Sequence, residues 1–195
     1  AEDAIDTLPK MNKGMHAGLT SVDPATGEVK AFYGGPKYFE RMQNNSTQDT
    51  AQAGSTFKPF ALVAGLEAGY RLNDTFNGSS VTFPNNGNPW TPRNYGGASY
   101  GSVTLLRATQ SSINTAYAQL NINVGPDKTR DVAVRAGLPK DTYGLEDNAA
   151  NVLGTASPTT LQMASAFSTF AAEGVYRSPH FVREAVDPNG EALYK

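Results

Sequence analysis

The sixteen residues "GSTFKPFALVAGLEAG", 54 to 69, constrain this chain more than any other stretch. From Ser55 to Ala68 the spacing predicts a helix in which Phe57, Ala61, Ala64 and Ala68 form one stripe. Leu62, Val63 and Leu66 fill the other side, and a helix apolar all round belongs in the interior. Pro59 has no N–H and clashes with a preceding turn, so it is tolerated only near a helix start, which places that start close to Ser55. Gly69 supplies the stop. Lys58 therefore sits in an apolar helix, where an unpaired ammonium is costly to bury. Ser55, three residues earlier, lies on the same face and within its reach.

Thirteen serines and eight lysines in 195 residues predict roughly half of one Ser-x-x-Lys pair by chance, so the spacing alone is weak. For an isolated match a helix-capping serine beside a solvated lysine is the commoner explanation. Chemistry gives the pair a second meaning. A serine hydroxyl is a poor nucleophile until a base takes its proton, and a lysine can do so only if burial lowers its pKa from about 10.4 toward 7. The helix start also exposes backbone N–H groups, and that of Ser55 is a candidate oxyanion donor. A second constellation, "SSIN", puts Ser112 and Asn114 two residues apart between two predicted helices, 103–110 and 114–121. It reads either as turn and cap chemistry or as a hydroxyl that relays a proton beside an amide that holds a carbonyl.

Composition narrows the partners. A net charge of −2 and no run of five like charges leave no basic field for nucleic acid or anionic lipid. With no cysteine and only His16 and His180, neither disulfides nor a metal site is expected, and no cofactor motif is present. The longest apolar stretch, "FALVAGLEAG", is too short and interrupted to span a bilayer. No signal-peptide pattern opens the chain, so any targeting segment is expected outside these residues.

Around the motif, "HAGLTSVDPATGEVKAFYGG" (16–35) predicts a β-hairpin turning at Asp23, Pro24 and Gly27. A loop follows over 34–53, and a turn-rich stretch over 73–101 holds one short strand near Val81 to Phe83. Such a long stretch suggests a lid or wall, with Trp90, Tyr95 and Tyr100 either lining a groove or packing the loop. "GPDKTRDVAVRAGLP" predicts a helix bracketed by Pro126 and by Gly137 and Pro139. In "SPTTLQMASAFSTFAAEG", Ser157 caps, Pro158 starts, Leu161, Ala164, Phe167 and Ala171 line one face, and Gly174 stops. "FVREAVDPNGEALY" closes with a second hairpin within 180–195.

Taken in order, "DPATGEVKAFYGG", "GSTFKPFALVAGLEAG", "WTPRNYGG…GSVTLLRATQSSINTAY" and "VLGTASPTTLQMASAFSTFAAEGVY" resemble the transpeptidase domain of penicillin-binding proteins, most closely the bifunctional class A branch. The resemblance covers nearly all of residues 16–185. It implies an α/β fold of the β-lactamase/transpeptidase type, an antiparallel central sheet flanked by helices plus a mostly helical subdomain. Within one such domain spanning 1–195, residues 1–33 would carry the sheet hairpin, 54–172 the mostly helical part with the motifs, and 180–195 the second hairpin. The resemblance assigns Ser55 as the acylated nucleophile, Lys58 as general base, Ser112 as proton relay and Asn114 as the amide that orients the peptide. The implied activity is D,D-transpeptidation of peptidoglycan stem peptides in cell-wall synthesis, outside the cytoplasm, with β-lactam antibiotics as covalent inhibitors of the same serine. Asn-x-Ser/Thr matches, among them those at Asn44, Asn73 and Asn77, carry no meaning if the source is bacterial, as the resemblance implies.

One departure stands out. The family's third motif, Lys-Thr/Ser-Gly, is absent, since Lys128-Thr129-Arg130 lacks the glycine and falls in a predicted helix. These residues alone are therefore expected to be an incomplete, poorly folded piece, inactive without a C-terminal remainder that carries that motif and the missing strands. Two alternatives remain. A β-lactamase or carboxypeptidase would resolve the acyl-enzyme with water, and Glu146, 34 residues after Ser112, is the candidate deacylating carboxylate, although "LEDNAAN" lacks the usual surroundings. A non-catalytic β-lactam sensor would keep the acylating serine without transferring peptide.

Overall fold

The computed structural model describes residues 2–8, 14–84 and 89–194. Predicted features that fall on 1, 9–13, 85–88 and 195 lie outside these. In chain order the elements are α1 (Glu2–Asp6), β1 (Leu19–Val22), β2 (Val29–Tyr33), α2 (Lys58–Glu67), β3 (Thr75–Asn77), β4 (Ser102–Thr104), α3 (Leu105–Gln110), α4 (Asn114–Val124), α5 (Pro126–Arg135), α6 (Thr160–Ala171), β5 (Ala185–Val186) and β6 (Ala192–Tyr194). The described strands pair antiparallel in three ladders of two: β1 with β2, β3 with β4 and β5 with β6. The chain forms two compact units, one of residues 1–51, 135–139 and 158–195, the other of 52–134 and 140–157.

In the first unit the predicted hairpin is present, with Leu19 opposite Tyr33 and Thr20 opposite Phe32. Its turn is built by Asp23, whose Oδ1 accepts from Ala25 N at 2.8 Å and whose carbonyl accepts from Gly27 N at 2.8 Å. Gly27 takes φ +84°, the left-handed region that a side chain would strain. α6 packs on β1. Its cap is Thr159, not Ser157: Thr159 Oγ1 accepts from Gln162 N and Gln162 Oε1 from Thr159 N, a reciprocal capping box. The inner face also differs from the expected stripe. Ser165, Ala166, Ser168 and Thr169 are buried while Phe167 is exposed, because small side chains let the helix approach its neighbours closely. At its end Glu173 rather than Gly174 takes the first left-handed position, φ +55°. The second hairpin, β5–β6, forms as expected.

The second unit is organised around α2 and α4, which pack together over Ala61, Leu105, Ala108, Ile113, Ala116, Tyr117, Leu120 and Val152. The strand predicted near Val81–Phe83 shrinks to one bridge, Phe83 to Trp90, while β3 pairs with β4 through Phe76 opposite Val103. α2 buries Phe60, Ala61 and Ala64, but Leu66 is 46% exposed, so the helix is not enclosed all round. Beneath α4 a buried polar knot is fully bonded: Thr129 Oγ1 donates to Asn121 Oδ1 and Asn121 Nδ2 to Asn151 Oδ1. Asn151 Nδ2 in turn donates to the carbonyls of Pro126 and Glu146, so these buried groups carry no desolvation penalty for unmade bonds.

Candidate active site

The chain reaches Ser55 through two tethers. Ala53 N donates to Ala156 O at 2.8 Å and Gly54 N to Gly154 O at 3.1 Å. Both glycines have left-handed φ, +56° and +79°. A Cβ added at Gly154 would collide with the backbone N, O and Cα of Gly54. Only glycine permits this approach. Residues Gly54–Phe57 then form a 3-10 turn, and α2 begins at Lys58 with Pro59 in its first turn, where a missing N–H costs nothing. Ser55 is thus exposed on the turn that leads into the helix.

Lys58 points inward from that turn and is 4% exposed. Its Nζ lies 3.0 Å from Ser55 Oγ, 2.8 Å from Ser112 Oγ, 2.8 Å from the Ser112 carbonyl and 2.7 Å from Asn114 Oδ1. The structure therefore brings together all four residues singled out from the sequence. Burial, which disfavours the ammonium, pushes the Lys58 pKa down to about 8. The number of acceptors matters. An amine nitrogen has three directions besides its carbon, and the Ser112 carbonyl and Asn114 Oδ1 can only accept, so they fix two N–H donors. The third direction faces the two serine hydroxyls. It holds a proton when Lys58 is charged and a lone pair when it is neutral.

Ser112 owes its position to the end of α3. Ile113 N donates to Ala108 O and Ser112 N to Thr109 O, a Schellman turn with Ser112 at the left-handed position, φ +51°. A non-glycine residue there costs about 1 kcal/mol. The same turn aims both the carbonyl and the hydroxyl of Ser112 at Lys58. Asn114 opens α4, and its amide is pinned at both ends, since Oδ1 accepts from Lys58 and Nδ2 donates to Arg93 O at 2.8 Å. One Nδ2 hydrogen remains.

Two contributors escaped the sequence reading. Tyr117, one turn after Asn114 and buried, places its ring face 5.7 Å from Lys58 Nζ, and its hydroxyl pairs with Thr109 Oγ1 at 2.7 Å. The i, i+3 spacing from Asn114 was the available signal. Arg93, whose carbonyl holds Asn114, had none. Of the groove candidates, Trp90 packs against Phe83 while Tyr95 is fully exposed and Tyr100 partly so. Glu146 is exposed and engages the fold through its backbone carbonyl. Lys128-Thr129-Arg130 lies within α5, with Thr129 bound into the polar knot. Among the described residues no helix is long and apolar enough to cross a membrane.

A serine on a helix-leading turn, a buried lysine one turn on, and a hydroxyl and an amide converging on that lysine form the arrangement that serine acyl transfer requires. Residues 17–195 match the family described as penicillin binding protein transpeptidase domain. The chain belongs to that family. It is 37% identical over 212 residues to penicillin-binding protein 1A of Mycobacterium tuberculosis, covering 100% of this chain and 24% of that protein. To penicillin-binding protein 1A of Aquifex aeolicus it is 36% identical over 183 residues, 92% of this chain and 24% of the relative. The chain thus spans about a quarter of the length of these curated relatives. Among solved structures, the PonA1 protein of M. tuberculosis in complex with penicillin V superposes with a TM-score of 0.87 at 33% identity, over 99% of this chain and 53% of that one. The β-lactamase/transpeptidase fold is that of these neighbours.

Proposed function

We propose that this chain carries the acylating half of a serine D,D-transpeptidase that cross-links peptidoglycan stem peptides ending in D-Ala-D-Ala. Residues 1–195 are read as belonging to one transpeptidase domain, working at the outer face of the plasma membrane, with 54–172 its motif-bearing part. The observation that supports this reading is the buried Lys58 amine bonded at once to Ser55 Oγ, Ser112 Oγ and Asn114 Oδ1.

In the forward step Ser55 Oγ attacks the carbonyl carbon of the penultimate D-alanine and its proton passes to neutral Lys58 Nζ. The Ser55 N–H, between the bonded N–H groups of Gly54 and Thr56, meets the developing oxyanion. As the C–N bond breaks, Ser112 Oγ relays a proton from Lys58 to the departing D-alanine amine. Asn114, already held by Lys58 and Arg93, uses its remaining N–H on a peptide carbonyl. An amine of a neighbouring stem then attacks the Ser55 ester, an amide forms, and Ser55 recovers its proton. β-Lactams would acylate the same oxygen, with opening of the lactam C–N bond.

Incubation of the complete protein with labelled benzylpenicillin tests the assignment. A stable adduct on the Ser55 peptide, absent from Ser55→Ala, is expected. No adduct, or one that survives Ser55→Ala, rejects it.

A further inference from the structure

Next to Asn114 an open cavity of about 540 Å³ is lined by Ser79, Ser80, Arg93, Asn94, Ser99 and Thr115, a size typical of small-molecule sites. It belongs to none of the catalytic contacts described above, yet its wall is built from the same loop that holds Asn114. Asn94, buried, ties that loop down: Nδ2 donates to Gly78 O at 2.8 Å and Ala98 O at 2.9 Å, and Oδ1 accepts from Thr115 N at 3.1 Å. Thr115 follows Asn114 on α4, so the cavity is registered to the candidate active site through the backbone. Ser79 and Ser99, both in the lining, are joined by a 2.7 Å hydroxyl pair.

Within this frame Arg93 is the cation. Its carbonyl is used by Asn114, its guanidinium forms no hydrogen bond or ion pair among the described residues, and the residue lines the cavity. A guanidinium with five fixed N–H donors, beside serine hydroxyls, is chemistry suited to a carboxylate. The Asn114 side-chain amide is bonded to the Arg93 carbonyl, so a peptide whose carbonyl rests on Asn114 Nδ2 passes beside the residue that carries this cation.

We propose that this cavity is a subsite for a carboxylate of the peptide substrate, upstream of the D-Ala-D-Ala end, with Arg93 its specificity-determining cation. The inference rests on the transpeptidase reading and names what part of the peptide the site selects. It assigns Arg93 no part in bond making.

The test uses the complete protein and two synthetic peptides ending in D-Ala-D-Ala, identical except that one upstream side-chain carboxylate is a carboxamide in the second. The readout is the ratio of their kcat/KM values for acylation of Ser55, which cancels any general loss of folding or activity in a variant. Wild type is expected to favour the carboxylate about five- to tenfold, the range of a partly exposed charge-assisted pair, and less at high salt. Arg93→Ala brings the ratio to near one, Arg93→Lys keeps part of it, and Arg93→Glu reverses it. A wild-type ratio of one, or an Arg93→Ala ratio equal to wild type, overturns the subsite while leaving acylation and the proposed function standing. Failure of wild type to be acylated by either peptide or by benzylpenicillin overturns the proposed function, and the subsite with it.

Discussion

The ends of α2 and α3 are the same turn built from different residues. At the end of α2, Tyr70 N donates to Gly65 O and Gly69 N to Leu66 O, with Gly69 at φ +92° and open space around it. At the end of α3 the two equivalent bonds form, but the left-handed position is Ser112, at φ +51°. Glycine takes this conformation freely, whereas serine is strained there by about 1 kcal/mol. The first turn is designed for stability and the second is not. What differs is the surroundings: Gly69 faces solvent, while the carbonyl and hydroxyl of Ser112 both lie 2.8 Å from a buried amine. Strain retained at Ser112 is what the proposed relay role would require of that position.

The sharpest way to break this comparison is to remove the amine. Lys58→Met is expected to slow acylation by benzylpenicillin by about 10⁴-fold, because base activation and the seat of Ser112 go together. Stopped-flow kinetics on the complete protein check this, and a loss under tenfold would mean that Ser112 is strained for some other reason. Next, Ser112→Gly should separate the two roles of its turn. Acylation falls by about 10²- to 10³-fold while thermal stability holds or rises, since relief of the left-handed strain offsets the greater freedom of glycine in the unfolded chain. Ser112→Ala should lose as much rate and melt below Ser112→Gly by the equivalent of about 1 kcal/mol. If alanine proves the more stable of the two, the strain argument fails.

Protonation sharpens the contrast further. The acylation rate of wild type should rise with pH through a midpoint near 8, as Lys58 loses its proton, and Lys58→Met should lose that limb. Stability follows the same group with a definite sign. Because the folded pKa lies below that of an unfolded lysine, the unfolded state binds more protons between the two values. Burying Lys58 therefore destabilises the fold fully below about pH 8, and this penalty shrinks as pH rises toward the unfolded pKa near 10.4. Smallest of all, Gly69→Ala should cost about 1 kcal/mol through φ alone and leave acylation untouched. Calorimetry and the same kinetic assay read both.

Local patterns were legible in the sequence. The i, i+3 relation of Ser55 and Lys58, the Asp23–Gly27 turn, the break between α3 and α4 and the extent of α5 all depend on residues a few positions apart. Legibility ended where distant segments decide. β3 hid in turn-rich sequence because its partner β4 lies some 25 residues on, and a three-residue strand has no periodicity of its own. The apolar stripe of α6 does not mark its buried face, where the small residues Ser165, Ala166, Ser168 and Thr169 lie. Likewise the convergence of Ser112 and Asn114 on Lys58, 54 and 56 residues away, came only from resemblance, and Arg93 acts through a main-chain oxygen that every residue carries.

The central claim is that Lys58 is a buried amine whose proton leaves at near-neutral pH and whose third valence faces Ser55. Its most direct test is an NMR titration of the Lys58 side chain, observed at Cε in the complete protein with Lys58→Arg to assign the signal. The account predicts a midpoint near pH 8. A midpoint at the ordinary lysine value near 10.4 would contradict it.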